Sequence, residues 1–555
     1  MPIYLSIYLS IKVTVDAREA LFSAWEKVIS IRDEKVGQAT YGKDFTPMNK
    51  LVSSLSYGSN KNLPRTTVPF LFLSSLFLSF PLLSLFVFMM YIFTHLSLPS
   101  DPEPTTNPQM SLHNNLAGAL DCDHLHDGMG FLTSHVQMTR LLEASLQAVD
   151  ASVSLPYWEY TKDVEIIVAQ YNGNFQKWAD LEIFSDEFFG KTNLATATID
   201  TGHFKDLDVL PGSEGYSTVT NSFGLIRAPW NNLNTLKPTR YFGAGGNDVD
   251  KVVSYVAPDQ TSMSTCANLQ TVLYESYKQG LLTYFSEEIA QQAHGPIHLF
   301  TGGLAHTPDL LTWISDTFAS SVSATKPSYP QYWNTILEFW LVVQRAAYRF
   351  KLYTCPESCD VATDTVETCS CSCDADEVFS SDMYAEIFES FGFTETFSDD
   401  EIKSLLSYMC DNTIVVGDHG SSSSPNDPSF WPIHGTVERY SQFLRLHQAF
   451  GEDAKGPNLW PDPGQSVFAD NIHPFEDRCV GHYADDKLVF GPVDGADFTN
   501  IEYFAHISPL SDHNTYVYDN FIWGHCEEAG SPIDGKLFWN VTSMAREAPP
   551  AAPAD

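Results

Sequence analysis

Two histidines stand four residues apart in His294-Gly-Pro-Ile-His298, after a stretch from Leu269 to Ala293 whose apolar pattern is helical. That spacing lets both imidazoles leave one face of a helix, a geometry suited to a metal ion. Pro296 interrupts the turn and predicts a kink with the two rings still facing one way. Alone, the spacing is common by chance and carries little weight. His126 and His135 are nine residues apart with Phe131 between them, and residues 134–147 read as a helix bearing Leu141, Leu142, Leu146 and the acid Glu143. His434 follows Asp427-Pro-Ser-Phe-Trp-Pro-Ile and opens another helical pattern through Val437, Tyr440, Phe443 and Leu444. Separate helices then each present histidine to one centre, and a helical bundle is a standard place to build a two-metal site from facing side chains.

The positioning elements fall into blocks. Helix formers, aromatics and histidines are dense from His113 to Tyr160, from Thr271 to Gly303 and from Asp427 to His447. Stretches rich in Gly, Asn, Asp and Ser separate them, at about 162–262 and 304–426, and read as insertions decorating a helical core. Residues 464–555 form a C-terminal extension whose aromatic and β-branched segments predict a small β-rich unit. The expected divisions are an N-terminal segment, 1–56, an apolar segment, 57–100, the main domain, 101–463, and that extension.

Near the N-terminus, Leu21, Phe22, Trp25, Val28 and Ile29 recur at helical spacing and predict the first core helix. The apolar segment follows it. Residues 66–100 lack any charge and are long enough to span a bilayer despite Pro69 and Pro81. Lys61 and Arg65 before this stretch, with Asp101 and Glu103 after it, would place the N-terminus in the cytoplasm and the rest outside or in a lumen. A span between two core elements would put one domain on both sides of a bilayer. The reading favoured here is therefore an insert foreign to the natural product; a single-pass protein with a separate N-terminal helix is the alternative. Residues 1–11 do not read as a cleavable signal.

With 31 Lys and Arg against 69 Asp and Glu, the net charge of −38 argues strongly against a nucleic-acid or anionic-membrane partner. A membrane enters only if residues 66–100 are a true span. Ten cysteines, five of them between Cys355 and Cys373, point to disulfides and a secreted or lumenal protein. No Cys-x-x-Cys pair suggests zinc, and the sequon Asn540-Val541-Thr542 agrees weakly with secretion.

Phe131, His135, Glu143 and Leu146, followed by Leu155-Pro-Tyr-Trp-Glu-Tyr160, resemble the copper A signature of tyrosinases. His294, His298, Gly302 and Gly303, then Asp427-Pro428, Phe430-Trp431, His434 and Arg439, resemble copper B. The resemblance is to the type 3 copper family of tyrosinases, catechol oxidases and mollusc-type hemocyanins. It implies a mainly α fold, with a four-helix-bundle dicopper core carrying long loop insertions. It also implies two copper ions, dioxygen and a small phenolic or catecholic substrate as partners, and oxidation of o-diphenols to o-quinones.

Carried over, the copper A ligands are His113, His126 and His135, and the copper B ligands His294, His298 and His434. His124 is the alternative to His126, because Cys122-Asp-His124 is similar to the Cys-x-His unit that forms a thioether in some relatives. Asp427 is expected just behind the ligands, with Arg439 and Glu143 anchoring helices. Gly295 stands where many tyrosinases carry an asparagine that, with an upstream glutamate, holds a water able to deprotonate a phenol. Its lack of a side chain predicts faster oxidation of o-diphenols than hydroxylation of monophenols, unless Glu287 does this work. His95 lies in the apolar segment and is rejected. His306, His419, His447, His473, His482, His506, His513 and His525 read as surface or hydrogen-bonded residues.

Four positions depart from the family pattern: Ser134 and Val136 flank His135, Ile433 precedes His434, and Glu438 stands beside Arg439. The rival functions are a hemocyanin-like dioxygen binder and a secreted structural relative without metals. A single copper unit argues against the first, and a complete set of six histidines against the second.

Overall fold

The spacing of apolar residues dictates helices, and a computed structural model describes residues 15–30, 34–41, 109–126, 130–212, 219–243, 263–306, 310–318, 329–389, 392–447 and 479–538. The apolar segment, the sequon, His95 and His473 lie outside the described residues. Among the described residues no helix is long and apolar enough to cross a membrane.

Helix α1 (Val15–Ser30) forms as its periodicity predicts, burying Leu21, Phe22, Trp25 and Val28. The Phe22 ring meets Phe188, Phe189 and Phe204 edge-on and stacks on His203, so α1 is built into the same core as the rest of the described chain. The site is carried by α2 (Gln109–Ala117), α3 (Gly130–Val149), and later α6 (Leu282–Glu288), which runs through a π turn (Ile289–His294) into α7 (Gly295–Gly302). Between them come α4 (Tyr160–Gln170) and α5 (Cys266–Gln279). The side chain of Thr265 caps α5 by accepting from Asn268 N, and Gly280 ends it in the left-handed region at φ 67°.

Beyond α7 the expectation of a loop-rich insertion gives way to α8 (Tyr329–Arg349) and α9 (Asp399–Asp411), each burying an apolar face. Three disulfides, Cys355–Cys371, Cys359–Cys369 and Cys373–Cys410, pin the polar block between them, as its cysteine density predicts. Strands Leu304–His306 and Ile414–Val416 then pair antiparallel and return the chain to α7.

Helix α10 (Phe430–Leu446) is buried from Phe430 to Arg445 and lies against α3, with Arg140 and Glu438 paired at 3.1 Å. The Leu155–Tyr160 turn is sewn to it: Trp158 N donates to Pro432 O at 2.9 Å, and buried Glu159 accepts from Arg439, Tyr440 and Trp523.

The C-terminal part departs from expectation. Residues 479–538 hold short helices and isolated bridges but no strand, and they do not stand apart as a unit. Cys479 is bonded to Cys122 and Cys526 to Cys266, while Tyr516 and Tyr518 both donate to Glu438 on α10. Aromatic residues that read as strand formers are spent on packing against α10.

Candidate metal centre

His113 on α2, His126 in the turn before α3 and His135 on α3 bring one ring nitrogen each to within 4.8 Å of one another. His113 Nδ1 donates to Ser422 O at 2.7 Å and His135 Nδ1 to Phe131 O at 2.8 Å. A carbonyl cannot donate, so each ring is held with its lone pair on Nε2. His126 is held differently. Its Nδ1 lies 3.0 and 3.1 Å from the two carboxylate oxygens of Asp123, which also accepts the backbone N–H of Leu125 and His126.

His294, His298 and His434 form a second triad by the same measure. His298 Nδ1 donates to His419 O at 3.0 Å. The kink expected at Pro296 is realised as a π turn ending at His294, after which Pro296 sits in the first turn of α7 where its missing N–H is harmless. Gly295 is required by this turn: a Cβ there would stand 2.2 Å from Ala290 O.

The two triads adjoin. His135 and His434 stack with centroids 4.0 Å apart, and the rings of Phe131 and Phe430 flank histidines of both sets. Burial, with further lowering by the neighbouring His126, brings the imidazole pKa of both His113 and His294 down to about 3. Burial likewise holds His135, His298 and His434 well below the usual histidine value. These rings are neutral at physiological pH. Nε2 of His113, His135, His298 and His434 is buried with no hydrogen-bond partner among the described residues. Such orphaned lone pairs are costly unless something else takes them. Two clustered sets of three imidazoles, with the Nδ1 of His113, His135 and His298 each tied to a backbone carbonyl, fit copper, for which imidazole is a suitable donor in both common oxidation states.

Residues 88–328 match the family model described as the common central domain of tyrosinase. This part of the chain is similar to a tyrosinase central domain. Over 110 residues it is 32% identical to tyrosinase-like protein 2 of Margaritifera margaritifera and 30% identical to a tyrosinase-like protein of Pinctada maxima. Each alignment covers 20% of this chain and 22% of the relative, so the chain spans about a fifth of the length of the curated relatives it matches. The tyrosinase match includes five of the six histidines and ends before His434, which the fold returns to them.

A cavity of about 480 Å³ opens onto the two triads, lined by His126, His294, His298, Phe131, Glu287 and Arg345, among others. Arg345 comes from α8, inside the insertion. Desolvation, with the charge of Glu288 second, pushes the Glu287 carboxyl up to about 7.

Other expected site residues lie behind the rings. Asp427 is buried and accepts from Arg240 and Ser429, so it reaches His298 only by way of His419. Glu143 accepts Leu155 N at 2.8 Å, and Arg439 pairs with Glu159 at 2.6 Å; both tie helices together. Two expectations are corrected. Cys122 is disulfide-bonded to Cys479, which removes the sulfur from any thioether. His124 belongs to neither triad, its Nδ1 donating to Val480 O at 2.7 Å and its Nε2 lying 3.3 Å from Asp121.

Asp123 was not singled out by its sequence. Asp123 had a signal, since an Asp three residues before a histidine can close a turn on its own backbone. His419 is fully buried, lines the cavity and hydrogen-bonds Ser429, in keeping with its reading as a bonded histidine outside the ligand set.

Proposed function

We propose that this chain is a copper-dependent oxidoreductase that oxidises o-diphenols to o-quinones with dioxygen, its metals held by His113, His126 and His135 and by His294, His298 and His434. The observation that carries the reading is the pair of adjoining histidine triads, mostly buried, opening on one cavity. A copper pair bound there supplies the electron exchange with dioxygen that turns a catechol into a quinone. The chain's own part is orientation and exclusion. Backbone carbonyls fix the rings of His113, His135 and His298, Asp123 holds that of His126, Phe131 and Phe430 pack against histidines of both sets, and the cavity has room for an aromatic ring.

Monophenols react more slowly in this reading, because Gly295 offers no side chain to hold a deprotonating water. Glu287 is the cavity acid that remains for the task, poised between its two protonation states near neutral pH. Initial rates on dopamine and tyramine, measured side by side on copper-loaded protein, test the proposal. Rapid quinone formation from dopamine is expected; no turnover of either by protein holding two coppers would favour a dioxygen binder instead.

Five disulfides using all ten cysteines support a secreted or lumenal site of action. The packing of α1 in the same core as α3 argues against a single bilayer crossing between them. We infer that residues 57–100 are foreign to the working enzyme, and sequencing the mature transcript across Phe70 to Leu98 tests this.

A further inference from the structure

The short segment from Asp418 to Ser424 touches both triads. The carbonyl of His419 accepts from His298 at 3.0 Å, and the carbonyl of Ser422 accepts from His113 at 2.7 Å. One histidine from each set is therefore aimed by the same few residues of backbone. Ser422 Oγ also donates to Asn114 Oδ1 at 2.6 Å, beside His113 on α2.

What fixes that backbone is one carboxylate. Asp418 is fully buried and accepts from Arg227 Nε and Nη2 at 3.0 and 2.8 Å, from Thr239 N and Oγ1 at 3.0 and 3.1 Å, from Ser423 Oγ at 2.9 Å and from Asn426 Nδ2 at 3.2 Å. Close backbone contact holds the other side: a Cβ on Gly417 would stand 2.1 Å from Gly302 O, and one on Gly302 2.3 Å from Gly420 N. The segment is thus pressed on α7 and tied to the 227–239 loop. It has no freedom to shift one carbonyl without the other.

From this geometry we infer that Asp418, through the carbonyls of His419 and Ser422, is a shared positioning residue that sets the affinity of both metal sites together. Groups that orient a ligating histidine commonly change metal affinity by about 10–100-fold when lost. Here the loss falls on two sites at once, although Asp418 touches no candidate ligand.

The inference rests on the dicopper reading, so the test begins with wild-type protein. Copper release to a graded Cu(I) chelator is followed on the folded fraction, whose far-UV circular dichroism is checked. Failure of wild-type protein to hold two coppers overturns the reading and the inference with it. Given two, Asp418→Asn is expected to lose both at about 10–100-fold lower chelator, whereas His298→Ala loses the copper of its own triad first. A merely structural role would lower the melting temperature of the metal-free protein and leave the affinity of folded molecules unchanged. Should Asp418→Asn yield no folded protein, Ser423→Ala decides, since it removes one of the six hydrogen bonds. A smaller, parallel weakening of both sites is then expected. Wild-type affinity at both sites, or weakening at only one, in the folded variant overturns the inference.

Discussion

His135 and His434 lie face to face, their ring planes 7° from parallel and their centroids 4.0 Å apart, although one belongs to each triad. Two imidazolium rings could not stack this way without strong repulsion, so the contact requires at least one of the two to be neutral. Every triad histidine but His126 is held below the ordinary value of 6.5, His113 and His294 to about 3. In the metal-free protein the unfolded chain therefore binds more protons than the folded one between these limits. Stability falls as pH falls from about 6.5 toward about 3. Thermal melts of metal-free protein across that range should show a steady drop in Tm; a flat profile between pH 6.5 and 4 would mean that the rings are not buried as described.

At Gly295 the expected engineering route to monophenol chemistry meets a steric limit. Asparagine there would press its Cβ on Ala290 O inside the π turn, and overpacking of this kind costs about 1–3 kcal/mol. Gly295→Asn should melt earlier than wild type and weaken the copper held by His294 and His298. Unchanged Tm with a gain of tyramine hydroxylation would show that the glycine is tolerant and that its missing side chain was limiting.

Glu287 gives a second handle on the same chemistry. Its carboxylate form, the base, accumulates as pH rises through about 7. The tyramine rate of wild-type protein should climb across that value, and Glu287→Gln should remove the limb and lower the rate on the order of a hundredfold. Dopamine oxidation should change far less. Equal losses on both substrates would assign Glu287 to packing.

How much of this was legible in sequence depended on whether the signal was local. His294 and His298, His135, and His434 after Asp427-Pro428 announce themselves by spacing along single helices, and α1 by its apolar stripe. His113 is aimed by the distant carbonyl of Ser422 and His126 by a turn closed on Asp123, so spacing alone left His124 as a competitor. The carbonyls of His419 and Ser422 have no side-chain signature at all, and neither does the distant pairing of Cys122 with Cys479. Tyr516, Tyr518 and Trp523 carry high strand propensity, yet buried acceptors on α10 and at Glu159 claim their polar groups and keep the C-terminal part from forming a sheet.

Helix α1 precedes the apolar segment, so its contribution can be measured separately. Trp25 is fully buried and meets Phe189 and Phe204 edge-on. Trp25→Ala should destabilise the whole domain by about 3–5 kcal/mol, a large share of a typical domain's stability. Denaturant melts of protein lacking residues 57–100 would read this directly; an unchanged midpoint would mean that α1 is dispensable and remove the objection to a membrane span.

The most direct test of the account is the copper content of purified, copper-loaded protein together with its single-histidine variants. Wild type should hold two coppers per chain, His298→Ala and His135→Ala about one firmly held copper each, and both variants should remain folded, because α3, α7 and α10 still pack. Folded wild-type protein that binds no copper, or variants that keep both ions at wild-type affinity, would contradict it.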